Sequence, residues 1–384
     1  MTGETDALAR ALGQELGLGA GGIGQIHAAI AARVFSRLGA AAEPARRTHD
    51  AIASAAYAAV AGSAVLAGRA AGAALPPREL STTRGGAMAL AVLGGLHGDR
   101  LEAEGSPLYE PMALRVDGRV ARVPDDFAGA TGRLVVFVHG LFETEHAWTL
   151  ASEGYGARLA RDLGATPLYV RYSTGRHISR NGCDLAALLD DAVAAWPVPV
   201  ESIALIGHSM GGLVARSACH HGGAFTAHVR HVVSLGSPHA GAPLAQGVHY
   251  AAHALHALPE TRPLARLLQR RSAGIRDLRS AALVDADWEG RDPDALRAAA
   301  CAEVPLLEGA THCFVTATIT RDPRHPVGRL VGDWLVLEPS ASGRGRVAFD
   351  AANGLHVGGA HHLALLDHPA VYAKLRDWLR RRDG

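Results

Sequence analysis

Ile203-Ala204-Leu205-Ile206-Gly207-His208-Ser209-Met210-Gly211-Gly212-Leu213-Val214-Ala215 is the stretch on which the fold turns. Four apolar residues run as a buried strand straight into G-x-S-x-G, and Gly212-Leu213-Val214-Ala215 opens a helix directly behind it. The bare pattern is weak in a chain with 45 glycines. Strand, sharp turn and helix around it form the arrangement that lifts a serine hydroxyl above the edge of a sheet. The turn is strained, and a side chain at 207 or 211 would collide with the neighbouring strand or helix. The helix start brings backbone N–H groups and positive dipole to the same point.

Working outward, apolar runs at 133–138, 167–172, 231–235 and 312–319 read as further strands, with helices at 184–196 and 210–220. This alternation predicts an α/β fold, a mostly parallel sheet with helices on both faces. Ahead of it, Met112, Leu114 and Val116 alternate with polar or small residues, Asp117-Gly118 is a hairpin turn, and Val120 and Val123 return the strand. Residues 244–307 form an insertion too long for an ordinary connection. One apolar face in it runs through Leu255, Leu258, Leu264, Leu267 and Leu268, a second through Ile275, Leu278, Ala282 and Leu283, which predicts a helical cap over the carboxyl ends of the strands. The head of the chain reads as helices. Ile23, Ile26, Ile30, Val34 and Leu38 make a stripe ended by Glu43-Pro44, and a second helix covers 48–72 until Pro76-Pro77. The expected division is a helical extension over 1–105 and a catalytic domain over 106–384.

With 38 basic against 37 acidic side chains, the net charge of +1 removes the electrostatic case for nucleic acid as a partner. The four cysteines make neither a redox pair nor a zinc spacing and are expected to be small buried residues; no metal and no cofactor is implied. The polar start predicts a cytoplasmic protein. Residues 51–68 carry no charge, near the minimum length for spanning a bilayer, but are mostly Ala, Gly and Ser, so a closely packed buried helix is expected.

A serine hydroxyl is a poor nucleophile unless an imidazole takes its proton and a carboxylate holds that imidazole. Acyl transfer also needs donors for the developing oxyanion, which the N–H groups of Met210 and Leu141 would supply, the latter in the loop His139-Gly140-Leu141-Phe142. His139 and His208 are read as holding the loop rather than as bases. For the acid, Asp322, Asp333 and Glu338 follow the 312–319 strand, and Asp333 is preferred because Val331-Gly332 leads it into an apolar stretch. For the base, the loop at Gly358-Gly359-Ala360 favours His361 or His362 over His356 and His368, and spacing does not separate the two.

These residues resemble serine esterases and lipases of the α/β-hydrolase fold, specifically the bacterial triacylglycerol-lipase and GPI inositol deacylase-like group. The similarity lies in His139-Gly140-Leu141 with Trp148, in 207–212, in Leu235-Gly236-Ser237-Pro238-His239-Ala240-Gly241, in Gly332-Asp333, and in His362 followed by Leu365 and His368-Pro369. It implies Ser209, Asp333 and His362 as the triad, with Phe142, Pro238 and His239 at the substrate. The implied activity is hydrolysis of a carboxylic ester through an acyl-enzyme, on a small ester or lipid, with contact at a lipid interface compatible. Acyl transfer to another alcohol, thioester cleavage, or a silent hydrolase fold serving as a binding protein are the rival expectations.

Overall fold

The computed structural model describes residues 3–39, 42–149, 153–255, 259, 261–295, 300–322 and 324–380. Two long helices, α1 (Glu4–Leu38) and α2 (Glu43–Ala74), open the chain, with Pro44 in the first turn of α2, where its missing N–H costs nothing. They belong to one unit, composed of Met1–Leu80, Glu104–Leu108 and Gly247–Arg271; Ser81–Ala103, Tyr109–Gln246 and Ser272–Gly384 form another. The expectation that 51–68 is a closely packed buried helix is corrected here. α2 rests on α1 along one side only, and Ile52 and Leu66 are 67% and 64% exposed.

The second unit begins with α3 (Arg84–Ala103) and is built on one eight-stranded sheet in the order β2-β1-β4-β3-β5-β6-β7-β8. Its strands are β1 (Ala113–Val116), β2 (Arg119–Val120), β3 (Arg133–Val138), β4 (Thr166–Arg171), β5 (Ser202–His208), β6 (Val229–Leu235), β7 (Thr311–Thr318) and β8 (Gly354–Gly358). β1 runs antiparallel to β2 and β4, and from β4 across to β8 every neighbouring pair is parallel. Asp117 and Gly118 both have positive φ, 50° and 80°, as a tight β1–β2 turn with right-handed twist requires.

Helices cover both faces, which is why β3 and β5 read as unbroken apolar runs. Along β3, Leu134, Val136 and Val138 point to one core with Leu185, Leu189, Leu213 and Val214, from α5 (Ile178–Ala194) and α6 (Met210–His221). Val135 and Phe137 point to the other, with Tyr155 and Leu159 of α4 (Gly154–Leu163) and the C-terminal helix. This is the mostly parallel, doubly covered sheet of the α/β-hydrolase fold. Pairing of Val138 with Gly207, and of His208 with Leu235, brings the carboxyl ends of β3, β5 and β6 level. Three loops meet there.

The insertion after β6 holds α7 (Pro243–Leu255), α8 (Arg262–Gln269) and α9 (Ala273–Asp277). Residues 247–271 group with the first unit and 272–307 with the second. Leu278, Ala282 and Leu283 are buried, and Ala242 donates to the Leu278 carbonyl at 2.8 Å. Leu258 and the side chains of Leu264, Leu267 and Leu268 lie outside the described residues. After β7 come α10 (Pro326–Val331), α11 (Glu338–Ala341) and α12 (Pro369–Arg380). Of the cysteines, Cys219 and Cys313 are buried as expected, Cys301 is partly covered, and Cys183 is exposed on α5.

Candidate active site

Ser209 stands between β5 and α6 with φ 52° and ψ −122°, a conformation that L-residues rarely adopt. Packing enforces it. A Cβ on Gly207 would lie 2.3 Å from the Gly212 nitrogen, and one on Gly211 2.1 Å from the Val138 carbonyl oxygen. Side chains at either position would push the helix off the sheet and relax the turn. The Ser209 N–H is bound to the Leu235 carbonyl at 2.8 Å, which ties the elbow to the end of β6.

Asp333 lies in the turn between α10 and α11, only 1% exposed. One carboxylate oxygen, Oδ1, accepts the N–H groups of Leu335 and Val336 at 3.0 and 2.8 Å, leaving Oδ2 directed at His362 Nδ1, 2.7 Å away. The His362 N–H also binds the Asp333 carbonyl at 3.0 Å, so backbone and side chain fix the pair together. Nδ1–H donating to the carboxylate leaves the lone pair on Nε2. That atom is buried and has no hydrogen-bond partner among the described residues. The imidazole packs over Gly236, where a Cβ would come within 3.1 Å of its Cε1, next to the Leu235 carbonyl that anchors Ser209. His361 is exposed, Asp322 caps a surface turn through the Arg324 N–H, and His356 binds Thr316 and Thr318.

The loop after β3 approaches from the other side: a Cβ on Gly140 would stand 3.0 Å from the Ser209 Cβ. Met210 is the first residue of α6, so its N–H has no acceptor within the helix. Leu141, one residue past Gly140, is half-buried. His139 holds the loop, as expected. It is fully buried, burial pushes its pKa down, and its Nδ1 meets the Gly140 carbonyl at 3.0 Å while Nε2 accepts the Tyr172 N–H.

Glu143, which the sequence does not single out, organises this region. Its carboxylate accepts the Gly140 N–H at 2.7 Å and lies 2.9 Å from Nδ1 of the fully buried His208. Burial alone would raise the Glu143 pKa, but His208 and the Gly140 N–H hold it low. Burial alone would lower that of His208, but the Glu143 carboxylate holds it above its ordinary 6.5. The sequence signal is a carboxylate close behind His139-Gly140, shared with Glu145 two residues on and too local to name its partner 65 residues away.

Both shifts stabilise the fold in one pH window. The Glu143 contribution is complete above its ordinary 4.5 and fades as pH falls through its lower folded value. The His208 contribution is complete below 6.5 and fades as pH rises through its higher folded value. Glu143→Gln should therefore cost about 3 kcal/mol in urea unfolding between about pH 4.5 and 6.5, and less in alkaline buffer. A cost that is the same at acid and alkaline pH would show that the ion pair is not its source.

The remaining predicted residues are more dispersed. Phe142 has φ 63°, and its ring lies where a Cβ on Gly95 of α3 would stand, 2.3 Å from Cδ1. Pro238 and His239 are buried in the turn after β6, closed by Gly241 N–H to the Pro238 carbonyl at 3.0 Å. The His239 ring faces Arg216 Nη1 at 3.3 Å and the edge of Phe349. Burial, with Arg216 and Arg346 nearby, pushes its pKa well below the ordinary 6.5. Among the described residues no hydrogen bond joins it to Ser209, Asp333 or His362.

No curated protein matches the chain in sequence. Among solved structures, a lipase of Bacillus licheniformis in mature form is 21% identical over 64% of this chain and 91% of its own, with a TM-score of 0.41. The propeptide form of that lipase is 19% identical over 70% of this chain and 54% of its own, with a TM-score of 0.45. A lipase-esterase related protein of Clostridium acetobutylicum is 14% identical over 65% and 95%, with a TM-score of 0.36. Sheet order and elbow give this chain the α/β-hydrolase fold, and within it residues 129–261 match the family described as the PGAP1-like alpha/beta domain.

Proposed function

We propose that the chain is a serine hydrolase of carboxylic esters. Ser209 Oγ attacks the ester carbonyl while His362 Nε2 takes its proton, and Asp333 holds the imidazole and stabilises the imidazolium. The N–H groups of Leu141 and Met210 receive the oxyanion. Collapse expels the alcohol, protonated by His362, and leaves an acyl group on Ser209. Water, activated by the same imidazole, then releases the acid and restores the serine. The observation that carries this reading is the buried His362, bound through Nδ1 to Asp333, unpartnered at Nε2 among the described residues, and packed over Gly236, next to the Leu235 carbonyl that holds the strained Ser209.

Acyl specificity is assigned, as a cap, to the part of the 244–307 insertion that lies in the same unit as Ser209, residues 244–246 and 272–307. A sheltered acyl chain gains about 0.8 kcal/mol per buried methylene, so kcat/KM should rise roughly fourfold per carbon until the shelter is filled. A panel of acetyl to palmitoyl esters tests this directly. A kcat/KM independent of chain length would sink the cap. An enzyme that neither reacts with a fluorophosphonate nor cleaves any ester would overturn the hydrolase reading itself.

A further inference from the structure

α1 and α2 meet through small residues. A Cβ on Gly13 would stand 2.7 Å from the Ala64 carbonyl oxygen, one on Gly17 3.0 Å from that of Ala61, and one on Gly68 2.6 Å from that of Ala9. Further along, His27 and Tyr57 meet edge to face at 5.7 Å, and Phe35 reaches His49 at 5.5 Å. Such close backbone approach through small side chains is the packing used by helices that lack a hydrophobic drive to associate.

This antiparallel register sets the uncharged residues 16–32 of α1 beside the uncharged residues 51–68 of α2. At 1.5 Å per residue the shared band is about 26 Å long, against a hydrocarbon thickness of about 30 Å. The hairpin's charges stand outside it. Glu4, Asp6, Arg10, Glu15 and Arg69 lie at one end, and Arg33, Arg37, Glu43, Arg46, Arg47 and Asp50 at the other.

A solvated helix carries charge on the face it turns to water. Through 51–68 α2 carries none at any angle, yet hardly any of its most apolar stretch is buried. On α1, Leu12, Leu16, Ile23, Ile30 and Val34 are spaced by four, seven, seven and four, which puts them in one stripe, and all five are exposed. Crossing the bilayer is disfavoured by α8. Its Arg266 donates to Gln25 at 2.9 Å, at the middle of the band, and a guanidinium at the bilayer centre is heavily penalised. Lying flat leaves that flank of α1 at headgroup level.

We propose that α1 and α2 lie in the plane of a lipid bilayer, with the outer face of α2 and the apolar stripe of α1 submerged among the acyl chains. The turn end of the hairpin, residues 33–50, holds four arginines against two carboxylates and complements anionic headgroups. This surface is independent of Ser209 and of the ester reading.

The test is flotation of the full-length protein with vesicles of phosphatidylcholine, alone or mixed with phosphatidylglycerol. The wild type should float with both, more completely with the anionic lipid, and that gain should vanish in high salt. The triple variant Ile52→Glu, Val60→Glu, Leu66→Glu should lose more than about a hundredfold in partition coefficient, with its circular dichroism unchanged because these side chains face solvent in the free protein. Should that variant misfold, Val60→Trp gives a second reading: its added emission should be quenched by lipids brominated on the acyl chains. Absence of flotation by the wild type, equal flotation by the triple variant, or an unquenched added emission in Val60→Trp would each overturn the proposal. So would a stable dimer of the chain that ignores vesicles and dissociates in the triple variant, since the face would then join two copies.

Discussion

Ser209→Ala is expected to fold as the wild type does and to lose ester hydrolysis by on the order of 10⁶ in turnover. The loss is large because the serine, the imidazole and the carboxylate act as a unit: without the hydroxyl there is nothing for His362 to activate, and water must attack unaided. The fold should survive because alanine keeps the Cβ that already stands beside Gly140, and the elbow conformation is imposed by Gly207, Gly211 and the Leu235 carbonyl rather than by the hydroxyl. Fluorophosphonate labelling and thermal unfolding, measured on the same preparation, check both halves. Labelling that persists in the variant would place the nucleophile elsewhere.

The second large effect belongs to the acid and base. Asp333→Asn should lower turnover by on the order of 10⁴ with little change in stability. An asparagine oxygen can still accept the N–H groups of Leu335 and Val336, but its NH₂ then faces His362 Nδ1 and favours the tautomer with the proton on Nε2, the wrong one for accepting a proton from Ser209. His362→Ala should be nearly as damaging as the serine change, while His361→Ala, at an exposed position, should cost less than roughly tenfold. Steady-state rates on one activated ester rank the three variants. If His361→Ala proves the more harmful of the two histidine changes, the assignment of the base is wrong.

Much of the fold was legible because its determinants are neighbours along the chain. The apolar runs of β3, β5, β6 and β7, the Asp117-Gly118 turn and the glycines at 207 and 211 each express a local need: burial on both faces, positive φ, or room for a crossing backbone. β8 escaped notice because Gly354-Leu355-His356-Val357-Gly358 has a glycine at each end and little apolar character. It is a strand because β7 offers it a ladder, from Phe314 opposite Gly354 to Thr318 opposite Gly358. α4 escaped for a similar reason: its apolar side, Tyr155 and Leu159, is short and is completed by β3 and α12.

By itself, then, the sequence determined the elbow, the parallel core of the sheet and the small set of histidines and carboxylates from which a site could be drawn. Spacing left His361 and His362 open and only the family resemblance pointed to His362; tertiary structure supplies the physical difference, a carboxylate 29 residues away and a ring turned inward while that of His361 is exposed. It also joined Glu143 to His208 across 65 residues, and it turned 51–68 outward where composition had suggested a buried helix. The physical reason is the same in each case. Hydrophobic period and backbone conformation are properties of a short segment, whereas the partner of a charge and the cover of a helix face are set by whichever distant part of the chain packs there.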